Sequence, residues 1–288
     1  FKISAVEPRV SVSFEKNAAY WDANRVPKLD GMVLYSMPEA TTRLAALRSG
    51  QVDWIEVPPP DAVPSLKGAG FNLVTNSYPH VWPWVFNLKK EDSPFRDVKV
   101  RQAANYCVNR DDMVSLLNGL AEPAVGFLNA KDPRFGSPKN AYSYAPDKAK
   151  ALLKEAGYGP DKPVKAKVMI STSGSGQMLP LPMNEYLQQS LAECGFEIDF
   201  EVVEWGTMLV AFRNDPTSAQ ALGVDAMNIS LVASNTTKMT RLNEIVVDEA
   251  PWLWIVHDSN PRAMSAKVKG FVSAQSWFQD FTTIDMVD

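Results

Sequence analysis

Histidine is scarce in this 288-residue chain, which has only His80 and His257. Neither stands at metal-ligand spacing from a cysteine, a second histidine or an acid, and Asp258 beside His257 would point to the opposite face of a strand. The sequence therefore offers neither a zinc site nor a catalytic triad, and no cofactor is expected. Cysteine is as rare. Cys107 and Cys194 lie in half-apolar, helical contexts, where each reads as a small buried hydrophobe, and the two are expected to remain unpaired. There is no run of about eighteen apolar residues, and Phe1 to Ser4 is not a charged region leading into an apolar one, so no membrane span or signal peptide is visible. Nor is there a basic stripe. The 29 Lys and Arg are interspersed with 33 Asp and Glu for a net charge of −4, which argues against a nucleic-acid partner. The carboxylates are scattered along solvated faces and suggest no general acid/base pair.

What is present is a globular pattern. A hydrophobic fraction of 45% supports one sizeable core or two modest ones. Residues 10–14 and 31–36 alternate as a hairpin-like pair of strands. Thr41 to Gly50 reads as a short helix ended by glycine. Strands are expected over 52–55 and 71–76, with the Pro58-Pro59-Pro60 connector and a short helix between them. Residues 78–87, with Trp82, Trp84 and Phe86 among prolines, read as a rigid extended crossing between two domains. Residues 97–119 form one long helix or a broken pair, in which Asp111 and Asp112 could cap the second half. A Pro- and Gly-rich loop over 123–144 precedes a helix over 146–157. The succession of a strand (164–171), a small-residue loop (171–176), a helix (183–194) and a strand (196–203) implies a right-handed crossover between parallel strands. Ligands of open α/β sheets bind beyond the carboxyl ends of strands, which makes 171–177 a candidate site wall. A strand over 225–232, a helix over 238–246 and a strand over 251–257 follow, and the tail alternates weakly.

The Ser-Gly-Ser-Gly stretch at 173–176 lacks the ending of a P-loop and the spacing of a dinucleotide fingerprint, so it reads as a flexible turn. Of the eight tryptophans, Trp54, Trp205, Trp252 and Trp254 fall on apolar strands as core. Trp82, Trp84 and Trp277 lie in proline-rich or polar segments and are candidates to line a ligand cleft.

Several strings taken in order resemble a known family. They are Asn17-Ala-Ala-Tyr20-Trp21-Asp22, Pro27-Lys-Leu29-Asp30-Gly31, Thr42-Arg-Leu-Ala-Ala-Leu47-Arg-Ser-Gly50-Gln-Val52-Asp53, Phe86-Asn87 and Pro94-Phe95-Arg-Asp97. Asn109-Arg110-Asp111, Tyr144-Ala-Pro-Asp147, Ala156-Gly157-Tyr158, Val203-Glu204-Trp205, Ala250-Pro251-Trp252 and Val268-Lys269-Gly270-Phe271 continue the series. Together they resemble the extracytoplasmic solute-binding proteins of the peptide/nickel class, which serve ABC importers, over nearly the whole chain. The resemblance implies an α/β, two-lobed periplasmic-binding-protein (Venus-flytrap) fold, class II-like, with mixed sheets flanked by helices. Residues 1–86 would form part of the first lobe, 87–257 the second lobe, and 258–288 the return to the first. It implies a periplasmic monomer, not an enzyme, that binds an oligopeptide or a neutral, partly apolar solute between its lobes and delivers it to a membrane permease. By their positions in the chain, the candidate wall residues are Trp82, Trp84, Ser173, Ser175, Met227, Asn228 and Trp277.

Two departures stand out. Family members begin well before the equivalent of Phe1, and a family segment is missing between Val232 and Lys238, so the first lobe is expected to be incomplete and the intact protein longer. The family's peptide anchors are absent as well: residues 226–232 contain no acid, and residues 171–177 no Arg, Lys or His. A desolvated peptide terminus without a charged partner is costly, which puts a neutral solute on an equal footing with a peptide. The competing readings are a hydrolase or other enzyme on a related fold, and a protein that presents its ligand to a chemoreceptor.

Overall fold

The computed structural model describes residues 1–76, 80–215, 217–218, 221, 223–232, 239–273 and 279–287. The chain divides into two compact units, Phe1–Tyr78 with Ser259–Asp288, and Pro79–Asp258. The divisions expected from sequence lay at Phe86/Asn87 and His257/Asp258. The segment 233–238, where a family segment was expected to be missing, lies outside the described residues.

The first unit opens with three antiparallel strands in the order β1 (Lys2–Glu7), β2 (Ser11–Glu15) and β3 (Gly31–Tyr35). The β2–β3 pair is the expected one. β1 was not foreseen, because Ile3, Ala5 and Val6 do not alternate, and Ile3 and Val6 remain exposed. Helix α1 (Ala40–Arg48) buries Ala46 and Leu47, and Gly50 just beyond it takes φ +73°. β4 (Trp54–Glu56), α2 (Val63–Gly68) and β5 (Asn72–Val74) follow, with the third proline of the connector opening a short 3-10 turn over Pro60–Ala62. Leu47, Ile55, Ala62 and Leu66 form a small core with Ala263.

The second unit is built on a seven-stranded mixed sheet. Its first strand, β6 (His80–Phe86), is a central, buried strand, where the sequence had suggested a rigid extended crossing over 78–87. α3 (Val98–Cys107) and α4 (Arg110–Leu116) are a broken pair. Asn109 caps the second, accepting from the backbone N–H groups of Asp111 and Asp112 at 3.2 and 3.5 Å, so the two aspartates occupy the first turn and not the cap. β7 (Ala121–Pro123), α5 (Pro146–Glu155), β8 (Val164–Ser171), α6 (Pro180–Ala192), β9 (Phe196–Val203) and α7 (Trp205–Arg213) come next. The last of these helices was missed by the sequence reading, which took Trp205 for a strand residue. β10 (Ala226–Asn228), β11 (Leu231–Val232), α8 (Met239–Glu249) and β12 (Trp252–Asp258) complete the unit.

The sheet order is β7-β12-β6-β10-β8-β9, with β11 also on β6; β8 is parallel to β9 and to β10, and the other pairs are antiparallel. Proline in a central strand removes a ladder donor, and neither flank of β6 keeps a continuous ladder near Pro83. β10 ends at Asn228 before β11 resumes at Leu231, and the β12 register shifts between Trp254 and Val256. The main core, from Val81 through Leu187 to Val256, belongs to this unit.

The two cysteines are paired, contrary to the sequence expectation. Cys107 ends α3, Cys194 follows α6, and packing of these helices on one face of the sheet brings their Cα atoms to 6.3 Å, inside the range a disulfide spans. The chain then returns to the first unit. β13 (Arg262–Met264) inserts between β4 and β5, antiparallel to both, and β14 (Val268–Lys269) pairs with β15 (Asp285–Met286).

Candidate functional site

β8, β9 and β10 run in parallel, and their carboxyl ends open onto one edge of the second unit, where ligands of such sheets bind. Beyond β8, the loop 172–178 is fixed from two sides. Trp82 of β6 donates its indole N–H to the Gln177 backbone carbonyl at 3.1 Å and to its side-chain Oε1 at 3.0 Å, and both residues are fully buried. Gly174 lies on the ring of Trp205, the first residue of α7, so closely that a Cβ there would stand 2.5 Å from ring carbons. Only glycine permits this approach. The loop bends further at Gly176 and Met178, whose φ values are +70° and +56°. Ser230, just past β10, donates to the Ser175 carbonyl at 3.3 Å and ties two strand ends together. Ser173 is half-buried and Ser175 exposed. Gln177 Nε2 and Ser171 Oγ are buried without hydrogen-bond partners.

Deeper in the unit lies a closed polar chain. Trp84 Nε1 donates to Asn184 Oδ1 at 2.7 Å, Asn184 Nδ2 donates to Asn228 Oδ1 at 3.0 Å and to the Pro180 carbonyl at 2.7 Å, and Asn228 Nδ2 donates to the Pro83 carbonyl at 3.0 Å. All three side chains are fully buried. Trp84 and Asn228, which the sequence reading placed at a ligand wall, are buried and join α6 to the sheet through Asn184. Met227 is also core, packed with Met169, Met208, Ala211, Ala221 and Val224 beneath α7. Trp82 has no exposed surface either, and its role is to hold the loop. Two of the wall residues read from sequence, Ser173 and Ser175, lie together at the strand ends, whereas Trp277 lies outside the described residues. Gln177, Gly174 and Trp205 were missed, although the Ser-Gly-Ser-Gly run marked their neighbourhood.

Two further titratable groups of the second unit, His80 and His257, are buried in its sheet. His257 Nδ1 donates to the His80 carbonyl at 2.8 Å, and His80 Nδ1 lies 3.9 Å from Asp258 Oδ2. Burial, with the neighbouring His257, lowers His80 to about 3, and burial also lowers His257. Among the described residues no three His, Cys, Asp or Glu side chains stand close enough to hold a metal ion. The first unit contains a cavity of about 630 Å³ lined by Leu34, Tyr35, Met37, Trp54 and Phe281, among others. Its one guanidinium, Arg43, is engaged by the carbonyls of Met37, Pro38, Glu56 and Val57.

The family model of bacterial extracellular solute-binding proteins, family 5 middle, matches residues 1–248. Heme-binding protein A of Haemophilus influenzae is 26% identical over 313 residues, which cover 94% of this chain and 56% of that protein. The glutathione-binding protein GsiB of Salmonella choleraesuis is 30% identical over 196 residues, covering 68% of this chain and 37% of that protein. The chain thus spans about half or less of the length of these relatives. Among solved structures, the periplasmic binding protein DppA from Helicobacter pylori in complex with the peptide STSA aligns with a TM-score of 0.83 at 19% identity, over 99% of this chain and 62% of that one. NikA from Brucella suis in complex with Fe(III)-EDTA aligns with a TM-score of 0.80 at 16% identity, over 99% and 67%. The fold of this chain is therefore that of the two-lobed periplasmic binding proteins.

Proposed function

Because the chain belongs to the bacterial extracellular solute-binding proteins of family 5, we propose that it is the solute-binding part of an ABC importer. It takes up a small molecule outside the cytoplasm and hands it to a membrane permease without transforming it. The observation that carries the reading is the loop 172–178, anchored by Trp82 and Trp205 at the ends of three parallel strands with Thr172 and Ser175 exposed and Ser173 half-buried. It holds no charged side chain, so hydroxyls and backbone groups supply the polar contacts. A neutral, partly apolar solute suits such a wall better than a peptide terminus, whose desolvated charge would lack a partner there. Ser173, Ser175 and Trp277 remain the residues proposed to meet it. A periplasmic location suits the Cys107–Cys194 disulfide, since such bonds persist in oxidising compartments. The protein acts as a monomer that meets the permease.

Mass spectrometry of gently purified full-length protein identifies the co-purifying solute. The same compound, added back to stripped protein at a hundredfold excess over its dissociation constant, is expected to stabilise it by about 2.7 kcal/mol. Ser175→Trp, at an exposed position, is expected to abolish this shift while leaving the melting of the stripped protein unchanged. If no peptide or uncharged solute moves the melting curve, the reading is wrong.

A further inference from the structure

The chain passes between its two units twice, just before β6 and just after β12, and its only two histidines stand at those two places. His80 opens β6, and His257 is followed by Asp258, the last residue of β12. These strands pair antiparallel, so the two passages lie side by side in the sheet. All three side chains are buried, at 0%, 4% and 2% exposure.

A carbonyl oxygen can only accept, so the 2.8 Å contact from His257 Nδ1 to the His80 carbonyl places the imidazole hydrogen on Nδ1. That leaves Nε2 bare, and it is buried without a hydrogen-bond partner. A second proton would put a positive charge on a ring with little water, a cost that outweighs the help of the nearby Leu128 backbone. Asp258 favours a charge on His80, but from 3.9 Å, beyond hydrogen-bond length. Glu122 of β7 faces His257 across the ladder, where it accepts from Asn129 and pairs with Lys131 at 3.5 Å. From α4, Arg110 reaches this strand only at the Trp254 carbonyl. β11, which pairs with the start of β6, is Leu231–Val232 and brings no titratable group.

We propose that His80, His257 and Asp258 form a proton-sensitive latch on the two strand ends through which the chain passes between its units, shut at neutral pH and loosened by acid. In the shut state both imidazoles are neutral. When the strand ends part, water reaches the rings and they take up protons at their ordinary value of about 6.5, so acid favours the open form. Each imidazole then multiplies the open population by roughly thirty between neutrality and pH 5. The latch is independent of which solute the protein carries.

The test is an NMR titration of the full-length protein labelled in histidine, together with hydrogen exchange corrected for intrinsic rates. Both imidazoles are expected to keep their neutral signals down to pH 5, while the protection of the Trp82 and Val256 amides falls at least tenfold between pH 7 and 5. His257→Gln retains a donor for the His80 carbonyl but does not titrate, and it should reduce that fall by about half on a logarithmic scale. An imidazole that titrates near 6.5 with protection intact overturns the proposal, as does an equal fall in wild type and variant. The wild-type titration decides the matter even where the variant does not fold.

Discussion

At Gly174 the absence of a side chain lets the loop after β8 lie flat on the Trp205 ring, and a Cβ there would fall 2.5 Å from Cδ2 and Cε3. Gly174→Ala is therefore expected to cost about 1–3 kcal/mol, the range for overpacking, in urea unfolding. Trp205→Ala in the same chain should remove most of that penalty. Arg110 shows the opposite arrangement, a large charged side chain wholly inside. Its guanidinium donates to the carbonyls of Ala124, Trp254, Asn105, Val108 and Tyr142 and to Asn105 Oδ1, at 2.8 to 3.3 Å, joining α4, β12 and the loop around Tyr142. Burial lowers it to about 10, so it stays charged at neutral pH. Arg110→Met leaves these carbonyls without donors and is expected to destabilise by about 3–5 kcal/mol in denaturant titration. Arg110→Lys should recover little, because an ammonium cannot reproduce the planar fork.

At the level of elements, the disulfide joins the end of α3 to the segment after α6, closing 87 residues of chain. Ser190 of α6 reinforces the junction by donating to the Cys107 carbonyl at 2.7 Å. Constraining the unfolded chain over such a span stabilises by about 2–4 kcal/mol. The double variant Cys107→Ser with Cys194→Ser is expected to lose that much at the guanidinium midpoint. Wild type should lose a similar amount only when reductant is present during unfolding, since both sulfurs are buried. α8 binds the long loop before α5 in a comparable way through side chains. Asn243 accepts from the backbone of Phe127 and Leu128 and donates to Phe135, while Asp248 accepts from Asn140. The Pro- and Gly-rich sequence of that loop marked it as irregular, but the helix that holds it lies a hundred residues away.

For the whole molecule, the acid limit of stability follows from the two histidines. Their folded values are depressed, His80 to about 3, so the unfolded chain binds more protons below about pH 6.5. The stability associated with their neutral burial is fully present above that pH and declines as pH falls, at His80 toward about 3. Each imidazole contributes about 1.4 kcal/mol per pH unit within its window. Urea unfolding is expected to weaken by about 1–3 kcal/mol between pH 6.5 and 5.5, a range above the titration of ordinary carboxylates. The double variant His80→Gln with His257→Gln should show a nearly flat profile there.

The sequence by itself determined the local elements and the family. Alternation marked β2, β3, β8 and β9, helical spacing and glycine marked α1 and α5, and the ordered strings from Asn17 to Phe271 carried the resemblance, which the family match bears out over residues 1–248. These features depend on neighbours a few residues apart, or on motifs that can be read one at a time. What only the tertiary structure decided depends on partners far apart in the chain. β13 is a strand because β4 and β5 flank it, and β6 accepts a proline because both neighbouring ladders are interrupted beside it. Cys107 and Cys194 pair because two helices pack on the same face of the sheet. Trp84 and Asn228 turn inward because Asn184, on a helix between them in sequence, completes their hydrogen bonds. A polar or aromatic residue in a proline-rich segment looks available for a ligand until its partner is known, and that partner is set by packing, not by the pattern of its own segment.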